Sequence, residues 1–175
     1  MNPTSAKPKF VAGLFTFEAM AHYEHAISTV VALSFFLPLI LSTGGNSGSQ
    51  AATLITRALA LGQIAPSDWF RVLRHELLMG LALGLTLGLV GLVRAALTQE
   101  SHLGGVDRWL LAAVIAQAVA LSCLWGTVIG ALLPMLFKRL GVDPGVASSP
   151  FVATFVDVTG IVIYFSIARF YLLGS

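Results

Sequence analysis

Long apolar segments follow one another through this chain, and charged residues are rare within them. Of the 175 residues, 57% are hydrophobic and 10% are charged. A soluble domain carries roughly a quarter charged residues, so lipid rather than water is the expected solvent here. A helix needs about 20 mostly apolar residues to cross the hydrocarbon core of a bilayer. The chain is therefore predicted to be an all-α, multi-pass integral membrane protein.

About five such segments can be recognised. Together they define one membrane domain over residues 1–175, in which residues 1–9 are a cytoplasmic N-terminal segment. They run from about 10 to 23, 27 to 61, 77 to 97, 109 to 137 and 149 to 173. Basic residues concentrate on the cytoplasmic side of membrane proteins. An inside N-terminus and outside C-terminus leave only three of them on the far side: Arg94, Arg108 and Arg169.

The second segment is too long for one crossing and contains a polar, glycine-rich run at residues 42–50. We predict that the helix is broken there, because non-helical backbone survives at membrane depth where it lines protein or water. A bend that lets helices pack closely is the alternative. The polar side chains favour an ion path, and the predicted lining residues are Gly45, Asn46, Ser49 and Thr53.

Asp157 is the most informative position, since it lies near the middle of the fifth segment. An ionised carboxylate at mid-bilayer costs about 2.5–3.5 kcal/mol and therefore needs water, a cation or a partner. The nearest basic residue in this segment, Arg169, is about three helical turns further on. A small and polar stripe shares the face of Asp157. It consists of Ser149, Pro150, Ala153 and Thr154.

Oxygen ligands and a single carboxylate suit Mg²⁺, which keeps most of its waters. One carboxylate alone is a weak site for a divalent cation. A homodimer would supply two carboxylates across a two-fold axis. The lone Cys123 excludes a cysteine-based metal cluster. No nucleophile–base pair is visible, so no enzyme activity is expected, and the net charge of +2 is too small for a nucleic-acid partner.

Weaker features have more ordinary interpretations. Gly80, Gly84 and Gly88 are spaced for close helix packing. A second metal site is also conceivable, because three metal-ligating side chains share a helical face in the first segment. These residues are Glu18, His22 and His25.

The glycine-rich run, read from Gly44 to Gly62, resembles the second-helix signature of the MgtE family of Mg²⁺ channels. Leu133-Pro134 and the stretch from Gly141 to Gly160 resemble the same family. The resemblance implies a dimer whose second and fifth helices line a central pore. It implies that Asp157 and the carbonyl of Ala153 bind hydrated Mg²⁺, and it extends the inner pore to Ser49, Thr53, Ser149 and Asp143.

Two departures from the family pattern stand out. Some members have Asn where this chain has Ser49 and Ser149, so inner ion sites are expected to be weaker. The family's cytoplasmic N domain and CBS domains do not fit before Phe10. Whether a separate cytoplasmic protein regulates this chain is therefore left open.

The resulting hypothesis is a Mg²⁺ channel of the cell membrane, in a bacterium the inner membrane, driven by the electrochemical gradient. The alternatives are a broader Mn²⁺/Co²⁺ carrier, an ion-coupled antiporter, and a membrane scaffold that transports nothing.

Overall fold

The computed structural model describes residues 6–24, 31–103, 105–147 and 149–173. Within these ranges the chain is helical and contains no strand. The main helices are α1 (Ala6–His22), α2 (Ala32–Ala60), α3 (Trp69–Ala96), α4 (Arg108–Arg139) and α5 (Ser149–Ala168). A π-helical turn, Arg169–Leu173, continues α5. The predicted all-α class is confirmed for the described residues.

Three of these helical stretches are long and apolar enough to cross a membrane: Pro66–Ala96, Arg108–Arg139 and Ser149–Leu172. The shorter α1 has 17 residues. The longer α2 has 29 residues, but the polar run at 42–50 lowers its hydropathy. Three crossings are thus supported, while the total of five and the orientation stay predictions.

Helix α4 is the central element of the bundle. It packs against α2, α3 and α5. Half of its most apolar stretch is buried, against 22% for the corresponding stretch of α3. Much of the α3 surface is apolar and exposed, including Leu81, Leu85 and Leu89, as expected for a helix that faces lipid.

The largest apolar core lies at one end of the bundle, which we call the core end. Here α2 begins, α3 ends, α4 begins and α5 ends, and the buried side chains include Leu33, Ile40, Leu111 and Phe165. Buried Tyr164 donates a hydrogen bond to the carbonyl of Leu33 at 2.8 Å. This bond ties α5 to the first turn of α2.

The predicted break in the second segment is wrong. Helix α2 is continuous through residues 42–50, and its glycines keep helical dihedral angles. Among the described glycines, positive φ occurs only in the turns, at Gly62, Gly105 and Gly141. Because the helix is unbroken at residues 42–50, the backbone polar groups of this run are satisfied within the helix, as a membrane interior demands.

The glycines of α2 serve close packing instead. A Cβ added to Gly126 of α4 would collide with the carbonyl oxygen of Gly44, and one added to Gly130 would collide with that of Gly48. The two backbones therefore touch at two successive turns, as small-residue helix pairs in membranes do. The alternative interpretation of the run, a device for close packing, is the one that the contacts support.

A second glycine row joins α3 to α4, as the four-residue spacing predicted. We call Gly80, Gly84 and Gly88 of α3 the glycine seam. A Cβ on Gly84 would lie 2.7 Å from the carbonyl oxygen of Ala120, and one on Gly88 would lie 2.8 Å from that of Ala116. At Gly84 and Gly88 the nearest atoms are backbone carbonyl oxygens, which cannot move aside, whereas at Gly80 the nearest atoms belong to the side chains of Thr127 and Leu124.

The helix boundaries differ from the sequence estimate mainly in α3. The sequence predicts a start near residue 77. Instead a 3₁₀ turn, Pro66–Asp68, runs directly into a helix that starts at Trp69. The Asp68 carboxylate accepts a hydrogen bond from the Ala65 amide at 2.9 Å, which stabilises this entry turn. The next helix has a capped start, since the Asp107 carboxylate accepts from the Leu110 amide at 2.9 Å.

Candidate functional site

Polar residues of α2 face polar residues of α5 along one antiparallel contact. We call Gly45, Ser49 and Thr53 of α2, with Ser149 and Asp157 of α5, the polar seam. Each set recurs at intervals of one or two helical turns, which brings its members onto one face. The two sets meet in opposite order, since Gly45 contacts Asp157 while Ser49 and Thr53 contact Ser149. The structure thus brings together five residues that the sequence nominated.

The Asp157 carboxylate occupies the space that a side chain at position 45 would fill. An ideal Cβ on Gly45 would lie 2.6 Å from Oδ1 of Asp157 and 3.5 Å from its Cγ. The three atoms nearest to that Cβ all belong to the Asp157 carboxyl group. Glycine at position 45 therefore makes room for the carboxylate, which the sequence reading had not foreseen.

One oxygen of this carboxylate is buried without a hydrogen-bond partner. Oδ1 of Asp157 accepts no bond from any described residue, although the side chain as a whole is half-buried. The one salt bridge among the described residues joins Arg108 to Glu100, so no described cation neutralises Asp157. A buried acceptor left unpaired costs about 1–3 kcal/mol, and more when it is charged. The site therefore has an unused oxygen ligand at membrane depth.

Hydrogen bonds of hydroxyl groups join the two sides of the polar seam one to two turns away from Asp157. The Ser49 hydroxyl donates to the carbonyl of Ser149 at 3.1 Å, and the Ser149 hydroxyl lies 2.8 Å from that of Thr53. The Ser149 hydroxyl also reaches the carbonyl of Ser49 at 3.3 Å. These bonds hold the start of α5 against α2, so they fix the level at which Asp157 lies.

The other predicted pore residues lie beside the seam and bond locally. The Asn46 amide donates to the Ser42 hydroxyl at 3.1 Å and is exposed on the protomer. The Thr154 hydroxyl donates to the carbonyl of Pro150 at 2.9 Å. Ala153 is half-buried, one turn before Asp157 on α5. Their role as pore lining stays a prediction.

The second metal site lacks support in the described part of the chain. Glu18 and His22 are exposed, and the His22 ring packs edge-on against Tyr23. His25 lies outside the described residues. Asp143 uses a carboxylate oxygen to accept from the Gly145 amide at 2.8 Å, which shapes the turn before α5. No group of three potential metal-ligating side chains forms among the described residues.

Several polar contacts between helices were not predicted from the sequence. The Trp125 indole donates to the Thr159 hydroxyl at 2.8 Å, which joins α4 to α5. Ser47 and Cys123 lie 3.3 Å apart, so the buried cysteine has a hydroxyl neighbour. No local pattern marks these pairs, because each joins residues far apart in sequence.

Comparison with known proteins places this sequence in a family. Residues 37–167 match the family model of MgtE, described as a divalent cation transporter. That stretch contains most of α2, all of α3 and α4, and nearly all of α5. The family is one of transporters and not of enzymes, in agreement with the sequence-based expectation.

Three curated relatives share the name Magnesium transporter MgtE. The protein of Thermus thermophilus is 42% identical over 159 residues, which is 91% of this chain and 34% of the relative. The Enterococcus faecalis protein is 33% identical, with 91% and 34% covered, and that of Bacillus subtilis is 28% identical, with 89% and 33% covered. The chain thus spans about a third of these relatives. With the family match over most of its length, the chain belongs to the MgtE family of divalent cation transporters.

Proposed function

We propose that this chain forms the membrane pathway of a Mg²⁺ transporter and that Asp157 binds the ion in transit. The observation that carries the proposal is the buried, unpartnered Oδ1 of Asp157 against Gly45. An oxygen ligand without a protein donor or cation suits a metal ion or its water shell. The names of the three relatives agree with this cargo, since all three are magnesium transporters.

The chemistry of the seam favours a hard cation that keeps its waters. The side chains offer one carboxylate and several hydroxyls, with neither a thiolate nor an imidazole among the polar-seam residues. Mg²⁺ is bound by one or two carboxylates while it retains several waters. In our proposal Asp157 and the carbonyl of Ala153 contact this water shell. A carbonyl oxygen has a second lone pair beyond its helical hydrogen bond.

The proposed pore lies between two copies of the chain. Asn46 and Gln50 are exposed on one face of α2, next to Thr53 of the polar seam. Amide groups facing lipid would cost free energy, because hydrocarbon offers them no hydrogen bonds. A two-fold dimer covers this face and brings two Asp157 carboxylates towards one axis. Helices α2 and α5 of both protomers then line the passage.

The proposed topology has five crossings, with α1 and α2 as the first two and the N-terminus inside. The turns after α2 and α4 then lie on the cytoplasmic side, and Arg57, Lys138 and Arg139 near them support this orientation. A doubly charged ion gains about 4.6 kcal/mol per 100 mV on moving inward across an inside-negative membrane. Passive flow through a channel would therefore need no other energy source.

Growth of a Mg²⁺-auxotrophic bacterium tests the function. Wild type is expected to restore growth at low Mg²⁺, while Asp157→Ala and Asp157→Asn fail at equal membrane abundance. Glu100→Gln is the matched control, because this carboxylate is 88% exposed and outside the polar seam. Rescue by Asp157→Ala equal to that of wild type would refute the role of this residue. Competition by Mn²⁺ or Co²⁺ would measure how selective the pathway is.

A further inference from the structure

A cavity of about 620 Å³ opens between the start of α2 and the end of α3. It contains none of the polar-seam residues. We call it the Arg94 cavity after the basic residue in its wall. Its volume is within the range of small-molecule binding sites, which is about 300–1,000 Å³.

One wall of the Arg94 cavity is polar and carries positive charge. It consists of Arg94, Thr98, Gln99 and His102. Arg94 is exposed in the last turn of α3 and forms no ion pair with a described residue. The nearby acidic side chain, Glu100, lies 3.6 Å from Arg108 and does not line the cavity. The described lining therefore has a free guanidinium group and no carboxylate.

The opposite wall is apolar. Phe35, Phe36 and Leu39 of α2 line it, together with Leu97. Phe35 is 57% exposed and Leu97 is 74% exposed, although both lie beside polar groups. The Phe35 ring contacts the His102 ring edge-on, with centroids 5.6 Å apart. The cavity thus offers a cationic group and an apolar surface side by side.

The position of the cavity along the bundle matches the boundary of the bilayer. Helix α3 ends at Ala96 and the next crossing begins at Arg108, so residues 97–107 form the turn at the core end. Arg94 lies in the last turn of α3, after a stretch at residues 77–93 that contains no charged residue. Arginine near a helix end extends its guanidinium towards the headgroup layer. The polar wall therefore lies at headgroup level, and the apolar wall extends towards the acyl chains.

We propose that the Arg94 cavity binds one anionic phospholipid with a phosphodiester and a hydroxylated headgroup, of the phosphatidylglycerol class. Arg94 and His102 bind the phosphate, and Gln99 and Thr98 lie close enough along the chain to bind the glycerol hydroxyls. Phe35, Leu39 and Leu97 contact the first part of an acyl chain. Free phosphate would leave this apolar wall unused, which is why a lipid is the better occupant.

The lining also discriminates against zwitterionic lipids. Choline and ethanolamine headgroups add a positive ammonium group next to the phosphate. With no carboxylate in the described lining, that ammonium would meet Arg94 without a counter-charge. Basic pockets between membrane helices bind anionic headgroups by the same electrostatics.

Native mass spectrometry of the full purified chain tests the proposal. The protein is mixed with equal amounts of phosphatidylglycerol and phosphatidylcholine of identical acyl chains, and bound lipid is counted. Wild type and the double variant Arg94→Gln/His102→Gln are compared. Arg169→Gln is the matched control, because Arg169 is exposed at the same end of the bundle but outside the cavity. Inorganic phosphate is added as a competitor in a separate arm.

We expect wild type to retain one phosphatidylglycerol in preference to phosphatidylcholine. The double variant should lose at least about fivefold in phosphatidylglycerol affinity, the factor typical of one basic residue near an anionic surface. Arg169→Gln should bind as wild type does, and phosphate should not compete. Equal binding of both lipids, equal loss in the control, or displacement by phosphate would overturn the proposal. If the double variant does not fold, Arg94→Gln alone is scored by the same criteria.

Discussion

Glycine has one role in the polar seam and a different role in the glycine seam. At Gly84, the absent side chain lets the α4 backbone approach, since a Cβ would lie 2.7 Å from the Ala120 carbonyl oxygen. At Gly45, the absent side chain leaves space for a carboxylate, since a Cβ would lie 2.6 Å from Oδ1 of Asp157. One glycine contacts fixed backbone, and the other contacts the movable tip of a side chain.

This difference separates stability from function within one bundle. An added methyl group at Gly84 or Gly88 must push two helices apart, because the backbone of α4 cannot rotate away. At position 45 it pushes a side chain and leaves the helices in place. Substitutions at the two seams are therefore expected to have opposite effects on folding and on transport.

Among the glycine substitutions, the largest effect on transport is expected from Gly45→Ala. The new methyl group displaces the Asp157 carboxylate, so Mg²⁺ uptake per folded protein should fall by roughly 10–100-fold, as for other changes beside a metal ligand. The melting temperature should change little, since the nearest neighbours are carboxyl atoms. Flux into liposomes and thermal melting are measured together. Wild-type flux in this variant would show that the carboxylate does not need this space.

The reverse outcome is expected from Gly84→Ala. Overpacking against the α4 backbone should lower the free energy of unfolding by about 1–3 kcal/mol. Uptake per folded protein should stay near that of wild type. Gly91→Ala is the matched control, because its nearest neighbours are side-chain methyl groups of Val119 and Ile115 at 3.3 and 3.4 Å. A larger loss of stability in the control than in Gly84→Ala would contradict the distinction between backbone and side-chain neighbours.

A smaller effect on both properties is expected from Ser149→Ala. This variant loses the hydroxyl that lies 2.8 Å from that of Thr53, and one hydrogen bond contributes about 0.5–1.5 kcal/mol. Thr154→Val is a control for loss of a hydroxyl that bonds only within its own helix. Chemical denaturation is the measurement. Equal stability of Ser149→Ala and wild type would show that the hydroxyl pair does not hold α5 to α2.

The smallest effect is expected from Arg108→Gln, which lies outside both seams. Its partner, Glu100, is 3.6 Å away and 88% exposed, so the ion pair should contribute about 0.5 kcal/mol or less. The melting temperature of Arg108→Gln is the reference with which the melting temperatures of the seam variants are compared. A loss as large as that of Gly84→Ala would mean that charge at the core end matters more than helix packing.

Sequence reasoning succeeded where a single segment contains the whole signal. A carboxylate inside an apolar run identifies Asp157, and glycines four residues apart identify the glycine seam, because helical periodicity alone puts them on one face. The polar run at 42–50 identifies Gly45 and Ser49, and Thr53 follows one turn after Ser49. The polar stripe on the face of Asp157 identifies Ser149. The contacts between α2 and α5 agree with that selection.

Sequence reasoning failed where the deciding partner lies on another helix. The run at 42–50 has the composition of a loop, yet Gly126 and Gly130 of α4 allow it to remain a packed helix. The bond from Tyr164 to Leu33 and the cavity at Arg94 also depend on segments far apart in the chain. The sequence shows where the glycines lie, while contacts between helices determine the role of each glycine.

Helix α5 is fastened to α2 on both sides of its acidic residue. Ser149 is attached about 12 Å towards one end and Tyr164 about 10 Å towards the other, at 1.5 Å of rise per residue. Together these two attachments oppose sliding or rotation of α5 against α2. We therefore expect the two helices to move as one unit, so that the route past Asp157 widens or narrows through motion of the elements that face them.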